Sequence, residues 1–341
     1  MALLALWAFF IQLCISSPIP RPEISLVEWS KVKRSESGSL MGGVNFPDPC
    51  IVQYGSYWYA FATRTVGSGI HIQVAQSSDF DSWSLVYDDD GSQKDALPDL
   101  PPWVDSSSPN TWAPDVIQID GQFVMYFSAT SSSDSSKHCI GAATATSVTG
   151  PYTPISSSAL ICPLSQGGAI DASGYYDQAT GNRYITYKID GNSIGYGGAC
   201  GNDVAPYVST AIQLQQVSAS DGVTLQGNAS EILDNVGASD QGIVEAPSLV
   251  KSGSYYILFF SSGCFTQSTY TVNYATATSV TGPYTRAASP LFSTGTDGLT
   301  APGGMDVFSD GEHMLFHAKA AGSVRALYNA VVRIDGGVVT A

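Results

Sequence analysis

The sequence predicts an all-β chain folded as a five-bladed β-propeller, and three observations carry that reading. Residues 143–154, ATATSVTGPYTP, return almost unchanged at 275–286 as ATATSVTGPYTR, and such self-similarity points to a repeat architecture. Five aromatic and aliphatic strands each follow a turn containing Gly, Asn, Ser or Asp. They are SYWYAFAT from Ser56, QFVMYFSA from Gln122, NRYITYKI from Asn182, SYYILFFS from Ser254 and EHMLFHAK from Glu312, with starts 66, 60, 72 and 58 residues apart. Only 13% of the 341 residues are charged, about half the usual fraction, and no helical period of apolar residues runs through the chain.

Each aromatic strand has neighbours that complete a blade. Before it stands a shorter apolar run, in order PCIVQY, PDVIQI, IDASGYY, APSLV and GMDVF, and after it a third, GIHIQVAQS, CIGAATATS, STAIQLQQVS, VNYATATS and ALYNAVVRI. Three or four strands per unit fit a propeller blade; a pair of β-sandwiches would not account for one hydrophobic hairpin recurring every 60 to 70 residues or so. The segment Ser77–Trp83 reads as an outer-blade turn, and the stretch from Asp88 to Pro109 as a long surface loop between blades one and two.

Ahead of the blades, MALLALWAFFIQLCI is too short to span a membrane and fits a secretory signal over residues 1–17. Residues 18–34 read as a propeptide ending at Lys33-Arg34, a dibasic pair of the kind fungal secretory proteases cut, which leaves 35–341 as the propeller. Secretion admits disulfides. Cys139 is expected to pair with Cys162 and Cys200 with Cys264, leaving Cys50 as a buried thiol in an apolar strand. The one N-glycosylation sequon, Asn228-Ala229-Ser230, sits in a polar, turn-like stretch. A net charge of −15 opposes phosphate backbones and anionic lipids, so nucleic-acid and membrane partners are not expected and neutral ones remain.

In a propeller the first strand of each blade lies nearest the axis, and here each carries an acid: Asp48, Asp115, Asp171, Glu245 and Asp306. A carboxylate in an apolar strand must be paired, hydrogen-bonded or functional. Clustered carboxylates shift one another, so one can stay protonated as an acid while another stays ionised as a base, the division of labour that glycoside hydrolysis requires. Asp306 follows two glycines, where a bulge is expected, and reads as structural. His313 and His317 are four apart, but on strand sequence this is not a metal-binding pair.

In this order and spacing, Asp48-Pro49, Trp112-Ala113-Pro114, Ile170-Asp171 and Glu245-Ala246-Pro247 resemble the blade openings of glycoside hydrolase family 43, from about Val44 to Ile334. The resemblance implies a fungal-type, secreted, single-domain propeller hydrolase that cleaves arabinose or xylose linkages with inversion. Asp48 would be the general base, Glu245 the general acid, and Asp171 the residue that tunes and orients Glu245. Arg325 would point toward the sugar and the acid. Phe46 and Trp112, beside the acids, would stack on sugar or equally pack the core, and Asp115 would contact substrate or serve the fold. His317 would lie near the axis, beside a calcium or sodium ion or a water, with no cofactor needed by the reaction. Arabinose- or xylose-containing polysaccharides and oligosaccharides are the expected partners, with the enzyme a monomer. The absence of a second sandwich domain leans the reading toward α-L-arabinofuranosyl linkages, as an arabinofuranosidase or arabinanase, with β-xylosidase activity the nearest variation. The alternative from another class is a non-catalytic carbohydrate-binding propeller.

Overall fold

The structure, a computed structural model, describes residues 38–322 and 324–341. The signal, the propeptide, its Lys33-Arg34 end and Cys14 lie outside the described residues. Blade one comprises β1 (Cys50–Tyr54), β2 (Tyr57–Thr63), β3 (Ile72–Ser77) and β4 (Trp83–Leu85). Blade two follows as β5 (Trp112–Ile119), β6 (Gln122–Ser131), β7 (Asp134–Ala145) and β8 (Thr153–Pro154). Blade three has β9 (Ala169–Asp177), β10 (Asn182–Ile189), β11 (Ile212–Val217) and β12 (Leu225–Leu233), and blade four β13 (Val244–Ser252), β14 (Tyr255–Ser262), β15 (Thr271–Ala277) and β16 (Thr285–Arg286). Blade five has three strands, β17 (Gly303–Val307), β18 (His313–Lys319) and β19 (Arg325–Val331), and a small hairpin, β20 (Arg333–Asp335) with β21 (Val338–Thr340), ends the chain.

Every blade is an antiparallel meander, and the first strands of adjacent blades touch one another around the axis. The ring closes where Asn45 bridges Ala326, next to β19, and Phe46 N–H donates to the Arg325 carbonyl at 2.9 Å. The predicted hairpin strands lie within a residue of their observed starts because they are apolar on both faces. In β6, Phe123, Met125 and Phe127 pack toward blade one, while Val124 and Tyr126 pack toward blade three. β14 divides likewise, with Ile257 and Phe259 facing blade five and Tyr256, Leu258 and Phe260 facing blade three. Strand side chains alternate between faces, so a central strand sandwiched between two neighbours reads as a continuous hydrophobic run. Each fully buried phenylalanine contributes about 1.5–3 kcal/mol.

Both expected disulfides are present and Cys50 is free and buried. Cys139–Cys162 ties β7 to the segment entering blade three. Cys200–Cys264 joins the segments after β10 and β14. Two readings need correction. The Asp88–Pro109 segment is not purely surface: Ala96, Leu97 and Val104 are buried in the core between blades one and two, and Asp95 bridges Gln73 beside the three-residue strand β4. Asn228 is exposed as expected, but it lies on strand β12 and not in a turn. Ser77–Trp83 is the turn between β3 and β4, its amides at Asp81 and Ser82 capped by the Asp79 carboxylate. Among the described residues no helix is long and apolar enough to cross a membrane.

Candidate active site

The site is built from one backbone device repeated five times. Near the start of each first strand one residue adopts a positive φ: Asp48 (53°), Ala113 (40°), Asp171 (58°), Ala246 (50°) and Gly304 (54°). In four blades the pairing register slips at this residue, as a β-bulge does. Across the hairpin from the residue before the bulge stand Thr63, Ser128, Lys188, Ser261 and His317. Four of these five accept the bulge N–H of the next blade. Thr63 Oγ1 takes Ala113 at 2.8 Å, Ser128 Oγ takes Asp171 at 3.1 Å, Ser261 Oγ takes Gly304 at 2.9 Å, and His317 Nδ1 takes Asp48 at 3.1 Å. Left-handed backbone costs a non-glycine residue of order 1–3 kcal/mol, and this ring of hydrogen bonds holds it.

The device aims Asp48 at the axis. Burial is the largest single influence and raises its carboxyl, but Arg325, His317 and Thr63 together outweigh it and hold the group well below the usual carboxylate range. Arg325 Nη1 donates to Oδ1 at 2.9 Å and Oδ2 at 3.2 Å, and Thr63 Oγ1 donates to Oδ2 at 2.7 Å. Asp48 is therefore ionised at neutral pH. Arg325 was expected near the general acid as well as the sugar; its contact here is to Asp48, and Phe265, which the sequence reading missed, covers the guanidinium at 4.7 Å.

Asp171 is the opposite case. Burial and then the Glu245 carboxylate push it up to about 8, with Lys188 pulling the other way, so the Asp171–Glu245 pair retains a proton at neutral pH. Asp171 Oδ2 accepts the N–H of Ala246 at 2.9 Å. Glu245 lies between two donors: Lys188 Nζ is 2.9 Å from Oε2 and Tyr270 Oη is 2.8 Å from Oε1. Burial alone would lower the Lys188 ammonium, but Glu245, Asp190 and Asp171 hold it above the usual lysine range. Neither Lys188 nor Tyr270 was singled out from sequence, although aligning the five hairpins puts Lys188 in a column otherwise filled by Thr63, Ser128, Ser261 and His317.

The remaining expected residues divide. Trp112 is partly exposed and stacks on His138 at 3.7 Å. Phe46 is fully buried among Leu40, Ile51 and Trp58, so it packs the core and has no face for a sugar. Asp115 and Asp306 sit two residues beyond their bulges. Asp115 Oδ2 accepts Gly174 N–H at 2.7 Å, and Asp306 accepts Ile51 N–H at 2.8 Å and Ser248 Oγ at 2.7 Å. Both line the roughly 550 Å³ cavity at the other mouth of the channel, which Asp48, Asp171 and Glu245 do not line. Asp115 thus links blades two and three and Asp306 links blade five to blades one and four. Between the two ends is a void of about 30 Å³, room for about one water.

His317 is buried near Asp48 and below the usual histidine pKa, burial being the main cause. Its Nδ1 accepts the Asp48 amide at 3.1 Å and lies 3.3 Å from Asp48 Oδ1, while Nε2 is buried with no hydrogen-bond partner. That orphan nitrogen is where the expected axial ion or water would bind, and among the described residues no group of three His, Cys, Asp or Glu side chains gathers there, so water would complete an ion's shell.

A propeller whose axis sets an ionised aspartate against a proton-holding carboxyl pair is that of a glycosidase, an enzyme hydrolysing O-glycosyl bonds. The family model described as "Glycosyl hydrolases family 43" matches residues 43–335, and the chain belongs to this family. It is 27% identical to an extracellular endo-α-(1→5)-L-arabinanase from Bacillus subtilis (strain 168), over 80% of this chain and 79% of that protein. The fold is that of a thermostable family-43 glycoside hydrolase, with a TM-score of 0.72 at 23% identity, covering 88% of this chain and 94% of that one. It also matches a Cellvibrio cellulosa α-L-arabinanase complexed with arabinohexaose, with a TM-score of 0.65 at 21% identity over 87% and 95% of the two chains.

Proposed function

We propose that the protein is a secreted, monomeric, inverting arabinanase that hydrolyses α-L-arabinofuranosyl linkages of arabinan. The observation that supports this most is the division of protonation across the axis: Asp48 is held ionised, while the Asp171–Glu245 pair keeps a proton. In the proposed step, water attacks the anomeric carbon and loses its proton to Asp48. The bond from that carbon to the glycosidic oxygen breaks, and Glu245 delivers its proton to the departing oxygen. Asp171 keeps the pair protonated and positions Glu245 through the Ala246 peptide. Arg325 keeps Asp48 ionised and Trp112 offers a stacking face. Arabinan as substrate draws its support from the arabinanases that the chain resembles, and secretion from the extracellular relative and the two disulfides.

The test is product analysis on linear arabinan, arabinoxylan and xylo-oligosaccharides beside a Glu245→Gln control. Arabino-oligosaccharides or arabinose from arabinan, absent with the control, are expected. Xylose alone would move the substrate to xylan, and equal traces from both proteins would leave only a sugar-binding role.

A further inference from the structure

We propose that Lys188 is a positioning residue that confines the acid proton to one oxygen of Glu245, Oε1. The inference rests on reading Glu245 as the general acid. Its starting point is the ring of five equivalent positions, where Thr63, Ser128, Ser261 and His317 each accept a bulge N–H from the following blade. In blade three the same position, opposite Ile170, is Lys188. An ammonium donates and has no lone pair with which to accept. The Ala246 N–H turns to Asp171 instead. Lys188 therefore breaks the pattern of the fold, and its side chain turns instead to the Glu245 carboxylate of the next blade.

Lys188 Nζ, with its side chain 1% exposed, lies 2.9 Å from Glu245 Oε2 and 3.4 Å from Asp190 Oδ1. Oε1 faces a different kind of donor, the Tyr270 hydroxyl. A hydroxyl rotates and can accept as well as donate, whereas an ammonium cannot. A proton on Oε2 would point at the N–H hydrogens of Lys188. On Oε1 it is accommodated by a turn of the Tyr270 hydroxyl. The ammonium thus fixes the carboxyl plane, keeps Oε2 an acceptor and leaves Oε1 to carry the proton to the leaving oxygen. Besides Tyr270, the ionisable groups that act on this carboxyl or on Lys188 are Asp171, Asp190, His138 and His317.

A general acid matters in proportion to how poor the leaving group is, and that separates a positioning role from a merely structural one. The test compares an arabino-oligosaccharide, whose leaving group is a sugar alkoxide, with the 2,4-dinitrophenyl glycoside of arabinotriose, whose phenolate leaves unaided. Lys188→Ser, which restores the hydroxyl found in other blades, and Lys188→Met are assayed beside Glu245→Ala, each checked for a cooperative melt. For both Lys188 variants kcat/KM is expected to fall about 100-fold on the oligosaccharide and only a few-fold on the dinitrophenyl substrate. The alkaline limb of the profile is expected to move to higher pH, since a cation favouring ionisation is gone. Equal loss on the two substrates, or no loss, in a Lys188 variant while Glu245→Ala keeps the leaving-group dependence overturns the inference alone. Equal loss on both substrates in Glu245→Ala overturns the general-acid reading and the inference with it.

Discussion

The Oδ2 atom of Asp171 accepts the backbone N–H of Ala246 at 2.9 Å, so a side chain on blade three fixes the peptide that follows Glu245 on blade four. The same carboxyl, raised by burial and by Glu245, works against stability once it ionises. A group whose folded pKa is raised contributes its full stability below its unfolded value, near 4, and loses it progressively as pH rises through about 8.

Asp171→Asn keeps the hydrogen bond and never ionises. It is expected to lower kcat about 10²-fold or more and to raise Tm at pH 8.5 by about 2–4 °C, the shift produced by roughly 1 kcal/mol. At pH 4 the two proteins are expected to melt together. Thermal scans at the two pH values check this, and a variant melting lower at pH 8.5 contradicts it.

Asp48 carries the opposite sign. Its folded pKa is depressed below the unfolded value, chiefly by Arg325 acting against burial, so it stays ionised to well below pH 4. In kcat/KM profiles of the wild type, activity is expected to fall on the alkaline side near pH 8, as the Asp171–Glu245 pair loses its proton, with no limb from Asp48 near pH 4. Arg325→Gln removes the guanidinium and is expected to bring an acid limb up into the measurable range. An unchanged acid side in that variant would contradict the role given to Arg325.

Trp112 lies against His138 with ring centroids 3.7 Å apart, and His138 is kept neutral because burial pushes it down to about 4. If the indole stacks on a sugar, Trp112→Ala removes about 1–1.5 kcal/mol, and KM is expected to rise about tenfold with kcat much less affected. Initial rates across a substrate series separate the two constants.

Gly303 is packed so closely that a Cβ there would overlap the Tyr270 ring. Gly303→Ala is expected to displace Tyr270 from Glu245 Oε1, destabilising the fold by about 1–3 kcal/mol and lowering kcat more than Tyr270→Phe does. A fully active, equally stable Gly303→Ala protein would show that Tyr270 is not held where the acid needs it.

The blades were legible because strands such as β6 and β14 are apolar on both faces and recur at a regular spacing. Asp48, Asp171 and Glu245 were legible as acids in apolar first strands, each beside a short blade-opening motif. Their partners were not, because they act across blades: Lys188 is 57 residues from Glu245, and Asp48 meets His317 over 269 residues. Of the two roles left open for Phe46, packing the core holds and stacking on sugar fails, for a related reason. Proximity to Asp48 in sequence says nothing about which face of the segment is buried, and closure of the ring against blade five buries this ring completely. Asp115 shares its strand with a bulge, and the slip of register there carries its carboxylate toward the channel's other mouth, where it accepts an amide.

The central claim is that Asp48 activates water on one face of the sugar while Glu245 protonates the oxygen leaving from the other. Its most direct test is proton NMR of the first product formed from an α-(1→5)-linked arabino-oligosaccharide, recorded before mutarotation. Initial appearance of the β-configured reducing end, abolished in Asp48→Asn and Glu245→Gln, is the expected result. Initial appearance of the α-anomer would contradict the account, because it requires a covalent intermediate in place of a directly activated water.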